Sequence, residues 1–184
     1  YLILLMLNKN KMLNNHTYYS LRYGSLSTKE LLEEASINVL RDETGWGSFV
    51  LTDINTSSAV LDFVRLASVY KIKPIVGIDF RNGIEQQFIG IAQNNNGFLQ
   101  LNQFLTQYLH KKQNIPDKAP NLEDCFIIYP LKKYTGFPLK PWEYVGIQKN
   151  ELLSEAMRNN QIPQHRLVAL QTGTFRNKKD FNAH

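Results

Sequence analysis

The chain has little cysteine and no long hydrophobic run, and each shortage excludes a class of protein. Cys125 is the only cysteine, so an internal disulfide is excluded, and no Cys or His lies at zinc-ligand spacing from it. The apolar opening from Tyr1 to Leu7 spans seven residues, far short of the roughly 20 that cross a bilayer. These features predict a reducing, cytoplasmic setting with no membrane partner.

The opening also lacks the basic region and the small-residue cleavage site of a signal peptide. Polar residues from Asn8 to Lys11 interrupt it before an apolar stretch restarts at Met12. We therefore predict that residues 1–11 are a leader or disordered segment and that residues 12–184 form a domain. Of the whole chain, 43% is hydrophobic, which is enough for one sizeable core.

Several catalytic signatures are missing as well: the sequence has no phosphate-cradling glycine loop, no nucleophile elbow and no spaced zinc cluster. A net charge of +5 allows a nucleic-acid partner. The basic residues are nevertheless scattered, which favours a solvated surface over a binding face. Their pairs are Lys111-Lys112, Lys132-Lys133 and Lys178-Lys179.

What the sequence does contain is an alternation of short strands and helices. Strands are predicted at residues 12–16, 49–51, 73–80, 87–92, 125–129, 145–147 and 167–171. A helix of about 14 residues follows a capping box at Ser27 and Glu30, and further helices are predicted at residues 97–109 and 151–158. This alternation is typical of parallel βα units and most economically of a βα barrel, or a large part of one.

One more helix is predicted between the second and third strands, with Ser57 or Ser58 as its cap. Its apolar residues fit a period of 3.6. They are Val60, Leu61, Val64, Leu66 and Ala67.

Polar residues at the predicted strand ends form the candidate site, because functional groups of βα barrels collect there. His16 could bind a divalent metal through one imidazole nitrogen, and Asp53 and Asp79 could supply oxygen ligands. Three ligands from three strands would make a site if they converged. The strand-end set is Asn14 and His16, then Asp53 and Ile54, then Asp79, with Gln87 at the start of the fourth strand.

Plainer interpretations stay open for the same residues. His16 could be a hydrogen-bonding or packing residue, and Asp53 a loop or Asx-turn residue. Asp79 could pair with Arg81 or face solvent. Tyr18, Tyr19 and Tyr23 could stack on bases, although packing in the core or at its rim is favoured. His110, His165 and His184 show no ligand spacing and are predicted on the surface.

Four sequence blocks, in this order and spacing, resemble a known family. The chain from Met12 onward resembles the polymerase and histidinol phosphatase (PHP) domain, in the version that opens the alpha subunit of bacterial DNA polymerase III. The blocks run from Asn15 to Leu21, Leu51 to Asn55, Ile72 to Phe80, and Ile91 to Asn94 followed by Gly97-Phe98 and Leu101.

The resemblance implies an α/β fold, the PHP-type distorted (β/α)7 barrel. Active members hold up to three metal ions through His, Asp, Glu and Cys at strand ends, and they hydrolyse phosphoesters by activating water and neutralising phosphoryl charge. The family's barrel continues through a further helix and a last ligand-bearing strand beyond His184. The resemblance therefore implies a barrel that is incomplete at the C-terminus, within a longer polypeptide.

Carried over position by position, the resemblance implies that most metal ligands are replaced. The family's opening His-x-His pair falls on Asn14 and His16, and the Glu of its Gly-x-Glu block is Asp79. Cys125 lies on the strand of the Cys ligand but too early along it. Family ligands are replaced at Asn14, Tyr23, Ile54 and Gln87, which leaves a vestigial set of His16, Asp53 and Asp79.

The function implied is that of an N-terminal PHP domain with a degenerate metal site, no catalytic residue, no cofactor and a mainly structural role in DNA replication or repair synthesis. DNA-directed DNA polymerase activity, a nucleotidyltransferase reaction, would belong to other segments. Expected partners are the rest of the polymerase polypeptide, a proofreading or other replisome subunit, and DNA through the full-length protein.

An active phosphoesterase is the alternative, either a 3′–5′ exonuclease or a histidinol-phosphatase-like enzyme. It would use zinc or manganese held by His16, Asp53 and Asp79. A third interpretation, an interaction domain that binds protein or single-stranded nucleic acid, would need a clustered basic and aromatic face that the sequence does not show.

Overall fold

The computed structural model describes residues 12–21, 23–151 and 162–173. The predicted leader, the Lys178-Lys179 pair and His184 lie outside these ranges, as does the helix predicted at residues 151–158 except for its first residue. Within the ranges, no helix has both the length and the apolar character needed to cross a membrane.

Strands and helices alternate as predicted through most of the described chain. The described helices are α1 (Thr28–Asn38), α2 (Val60–Ala67) and α3 (Asn95–Lys111). The described strands are β1 (Asn14–Asn15), β2 (Gly47–Leu51), β3 (Ile72–Asn82), β4 (Glu85–Ala92), β5 (Cys125–Pro130), β6 (Glu143–Ile147), β7 (Leu167–Ala169) and β8 (Thr172–Gly173).

Six of the strands form one curled sheet in the order β2-β3-β4-β5-β6-β7. Neighbouring strands are parallel except at β4, which runs antiparallel to both β3 and β5. The expectation of parallel units is therefore wrong at β4. Only Gly83 and Ile84 separate β3 from β4, and a two-residue connection makes a hairpin, whereas a parallel crossover needs a dozen residues or more. Gly83, with a φ of 59°, supplies the left-handed backbone that this turn requires.

A second sheet of two parallel strands joins β1 to β8, and β1 also contacts the larger sheet. The backbone N–H of Thr52, just after β2, donates to the carbonyl of Asn15 of β1 at 2.9 Å. The N–H of Leu170, just after β7, donates to the carbonyl of Ile147 at 2.9 Å and so extends the pairing of β7 with β6. The strand predicted at residues 167–171 thus ends at Ala169 as β7, and β8 begins beyond it at Thr172. The result is a mixed α/β half-barrel, and the expected incompleteness at the C-terminus stays a prediction.

Helix α1 begins at the predicted capping box. The Glu30 N–H donates to the Ser27 hydroxyl at 3.2 Å, and the Ser27 N–H donates to the Glu30 carboxylate at 2.8 Å. The helix has 11 residues and not about 14, because the backbone becomes extended at Val39.

Helix α2 departs from the prediction at its start. The residue before its first turn is Ala59, which makes no side-chain cap, so the predicted serine cap is wrong. The hydroxyl of Ser57 instead donates to the Asn102 side chain on α3 at 2.6 Å. The Ser57 hydroxyl, which local sequence assigned to a helix cap, instead joins the segment before α2 to α3.

The buried face of α2 also differs from the prediction. Leu61 is 82% exposed and Val64 is half-exposed, whereas Phe63 is fully buried. Both the stripe through Val60, Phe63 and Ala67 and the stripe through Leu61 and Val64 suit a helical period. The first stripe faces the core because it carries the largest apolar side chain.

Two apolar layers flank the curled sheet. The inner cluster consists almost entirely of strand residues, among them Val50, Ile89 and Ile128. The outer clusters place helices on the sheet, with the ring of Phe80 lying 5.2 Å from that of Phe104 on α3. Because Asp79 pairs with Ile89 across β3 and β4, it shares the face of the inner cluster.

Replacing Phe63 by Ala should lower the free energy of unfolding by about 3–5 kcal/mol, because it leaves a cavity in a closed core. Leu61→Ala on the same helix is the matched control and should change it by no more than about 0.5 kcal/mol. Urea unfolding followed by circular dichroism measures both values. Equal losses in the two variants would contradict the buried face described for α2.

Candidate functional site

The segment after β2 brings the candidate residues together by running beside β3. The Asp79 N–H donates to the Asp53 carbonyl at 3.1 Å, and the Asn55 N–H donates to the Asp79 carbonyl at 3.0 Å. Ile54 and Asp79 are therefore parallel bridge partners. Asp79 was predicted at the end of the third strand, but β3 continues through Asn82.

The carboxylate of Asp79 is fully buried and is surrounded by hydrogen-bond donors. Its Oδ2 atom accepts from His16 Nε2 at 3.1 Å and from Arg81 Nε and Nη2 at 3.0 and 2.7 Å. Its Oδ1 atom accepts from Gln86 Nε2 at 2.9 Å. The open alternative that Asp79 pairs with Arg81 is thus the one that the structure shows.

These donors keep the buried carboxyl group ionised. Burial by itself would raise the pKa of Asp79, but the hydrogen bond from His16 and the nearby Arg81 guanidinium outweigh burial and hold this pKa below its ordinary value. The site therefore contains a buried negative charge with its compensation supplied by the protein.

His16 is fully buried and points the same nitrogen at two acceptors. Its Nε2 atom lies 3.1 Å from Asp79 Oδ2 and 2.9 Å from Asn14 Oδ1. The Thr52 hydroxyl also donates to that Asn14 oxygen, at 3.0 Å. Because both neighbours of Nε2 accept, this nitrogen carries the proton and offers no lone pair to a metal ion.

Asp53 turns its carboxylate toward the loop after β1. Its side chain accepts from the Thr17 N–H at 2.6 Å, the Thr17 hydroxyl at 2.7 Å and the Ser20 hydroxyl at 2.6 Å. The Ser20 oxygen in turn accepts from the Ile54 N–H at 2.8 Å. Asp53 is 2% exposed, and its hydrogen bonds show it ordering this loop.

Asn55 fixes the backbone of Arg81. Its side-chain oxygen accepts from the Arg81 N–H at 2.9 Å, and its side-chain nitrogen donates to the Arg81 carbonyl at 2.8 Å. Its φ of 50° lies in the left-handed region, which asparagine adopts more readily than most residues. Sequence reasoning did not find this function of Asn55, because the partner lies on another strand.

The three tyrosines have different surroundings. Tyr23 places its ring 5.0 Å from the guanidinium carbon of Arg81, so it packs at the rim of the polar cluster. The rings of Tyr18 and Tyr19 lie 4.6 Å apart, with Tyr18 half-exposed and Tyr19 packed against the core beneath α1 and α2.

Gln86, which sequence reasoning missed, contacts Asp79, whereas Gln87 does not. The pairing register of β3 and β4 shifts between Phe80 and Arg81, and this irregularity brings Gln86 opposite Arg81. Gln87 is the third residue of β4, fully buried, and donates to the Glu85 carbonyl at 3.0 Å. A register shift leaves no clear signal in a single sequence.

Cys125 lies away from this cluster. Ile89 of β4 pairs with both Asp79 and Ile128, and Cys125 comes three residues before Ile128, a displacement of about 10 Å along β5. Its thiol donates to the Gly97 carbonyl at 3.3 Å, and burial raises its pKa to about 12. His110 and His165 are exposed, as predicted.

The candidate ligands already contact other groups of the protein. Asp53 is occupied by three donors and Asp79 by donors on both oxygens, while His16 presents a protonated nitrogen to Asp79. Ile54 offers no donor atom in its side chain. Within residues 12–21, 23–151 and 162–173, no three His, Cys, Asp or Glu side chains are grouped to hold an ion.

A cavity of about 1040 Å³ lies beside β6, β7 and β8, and its lining includes Gln148, Lys149, Val168 and Thr172. None of the candidate ligands lines it. Its volume is large enough for a small molecule, but it presents no carboxylate or imidazole from the candidate set.

Together, the curled sheet and the polar residues around β1, β2 and β3 define a TIM-like α/β protein with its candidate site among the strands. A model of the PHP domain family matches residues 13–134, which is more than half of the chain. The chain therefore belongs to the PHP domain family. No curated protein matches it.

Asp53→Asn should lower the free energy of unfolding by about 2–3 kcal/mol, because the amide nitrogen would face a donor and a charged acceptor would be lost. Urea unfolding measures the loss. Asp62→Asn is the control, since Asp62 is an exposed carboxylate on α2. The same loss in both variants would show that Asp53 does not order the loop after β1.

The stability that Asp79 contributes should depend on pH. Its folded-state pKa is lowered, so the contribution is present above the ordinary aspartate value of 3.8 and is lost as the pH falls through the folded-state pKa. The stability difference between wild type and Asp79→Asn should therefore be largest near neutral pH and shrink below about pH 4. Urea unfolding across this range measures the difference, and a constant value would contradict an ionised Asp79.

Proposed function

We propose that this chain is the N-terminal PHP domain of a bacterial DNA polymerase III alpha-type subunit, with a degenerate metal site and a structural role. One observation carries the loss of the metal site: the carboxylate of Asp79 is buried and already compensated by Arg81 and His16. Family membership and the sequence blocks that resemble the polymerase version support the rest.

Burial also argues against phosphoester hydrolysis at this cluster. A catalytic metal needs an open coordination position and a path for water and substrate. His16, Asp53 and Asp79 are at most 2% exposed. Their hydrogen bonds instead join β1, the segment after β2, and β3. Such bonds stabilise the fold, as expected for residues with a structural role.

In this proposal, residues 12–184 form a distorted (β/α)7 barrel that is incomplete at the C-terminus and supports the polymerase core. Nucleotidyl transfer and DNA contacts belong to other parts of the polypeptide. The remainder of that polypeptide and a proofreading or other replisome subunit are the proposed partners, in the cytoplasm of a bacterium. Residues 1–11 are proposed to lie outside the fold.

One observation favours the alternative of an active zinc or manganese phosphoesterase. The Nδ1 atom of His16 is buried and has no hydrogen-bond partner among the described residues. An imidazole nitrogen without a partner is a possible ligand atom. The alternative would need this atom and further ligands to converge on a cation.

The 184-residue chain, purified and incubated with zinc or manganese, should retain no stoichiometric metal and should release no 3′ nucleotides from single-stranded DNA. Elemental analysis and gel-based exonuclease assays measure the two properties. Stoichiometric metal together with nuclease activity, lost in His16→Ala but kept in the exposed-residue control His110→Ala, would establish the alternative.

The polymerase context has a separate test in the gene. An open reading frame that continues for several hundred codons beyond His184, with an acidic triad for two-metal nucleotidyl transfer, would support it. A stop codon shortly after His184 would contradict it and leave family membership intact.

A further inference from the structure

Arg81 is the cation that the carboxylate of Asp79 contacts. We propose that the Arg81 guanidinium acts as the resident cation of this site, permanently taking the electrostatic place of a metal ion. The inference rests on the proposed loss of the metal site and not on the polymerase context. It assigns a function to a residue that the family's ligand positions do not include.

The geometry is that of a buried, oriented pair. Two guanidinium nitrogens of Arg81 contact the same oxygen of Asp79, at 3.0 and 2.7 Å, and the two side chains are 11% and 0% exposed. The pair between Arg65 and Asp62 on the surface of α2 has side chains 75% and 50% exposed. Screening by water makes such a surface pair weak, whereas a buried charge that loses its partner is strongly destabilising.

The surroundings of Arg81 hold the guanidinium in place from several directions. The ring of Tyr23 lies beneath it at 5.0 Å, and an aromatic face attracts a cation. Asn55 fixes the backbone of Arg81 through two hydrogen bonds. Its position is therefore set by both its side chain and its main chain, as expected for a charge with a fixed function.

The replaced ligand positions explain why an arginine is accommodated. Tyr23 and Asn14 stand where the resemblance places two metal ligands. Tyr23 now contacts the guanidinium, and Asn14 accepts from the same His16 nitrogen that contacts Asp79. An aromatic ring and an amide suit an organic cation and its neutral surroundings better than they suit a divalent metal. The residues at these two positions thus contribute to the surroundings of Arg81 and Asp79.

A double-mutant cycle on the 184-residue chain tests the proposal. Arg81→Met leaves Asp79 buried with too little compensation and should lower the midpoint of thermal unfolding by about 10 °C. Adding Asp79→Asn removes the stranded charge, so the double variant should recover most of this loss. Arg65→Met with Asp62→Asn is the matched surface cycle and should show no comparable recovery.

The double variant tests the compensation between Arg81 and Asp79 even where Arg81→Met alone fails to fold. A double variant that folds while Arg81→Met does not would support the proposal. A double variant no more stable than Arg81→Met would overturn it, since the two residues would then not compensate each other.

Metal analysis of the wild-type chain in the same experiment separates this inference from the proposed function. Stoichiometric zinc or manganese in the wild type would overturn the proposed loss of the metal site and the role of Arg81 with it. Additive effects of the two substitutions in a metal-free protein would overturn the role of Arg81 alone.

Discussion

The buried charge of Asp79 is the constraint on which the rest of the site depends. A carboxylate without water must be neutralised and hydrogen-bonded by the protein, and here the donors are His16, Arg81 and Gln86. They come from three strand regions, so satisfying one charge joins β1, β3 and β4. The antiparallel hairpin is important because it places β4 directly beside β3, and this brings Gln86 of β4 into contact with Asp79 of β3.

Asp53 is a second buried carboxylate that also accepts several hydrogen bonds, but its donors lie in a loop and not on neighbouring strands. Its bonds to Thr17 and Ser20 order the loop after β1, while its backbone pairs with β3. The segment from Thr52 to Asn55 thus contacts β1, this loop and Arg81 within four residues. This segment therefore holds strands and loops together through hydrogen bonds.

Much of the fold followed from local sequence. Apolar runs placed most strands, and the capping box located the start of α1, because these signals act over a few neighbouring residues. Local signals failed where a distant group competed. Ser57 contacts Asn102 instead of capping α2. The strands predicted at residues 73–80 and 87–92 left a longer gap between them than the two residues that separate β3 from β4, so the hairpin was not predicted.

The sequence by itself determined the family framework, the polar residues among the strands and the apolar Ile54 beside Asp53. Only the tertiary structure decided how those residues are used. In that structure Asp79 pairs with Arg81, and a register shift brings Gln86 instead of Gln87 into contact with Asp79. Asp53 accepts hydrogen bonds from the loop after β1. The reason is physical: residue type sets which hydrogen bonds and charges are possible, but strand register and burial decide which partners lie within reach.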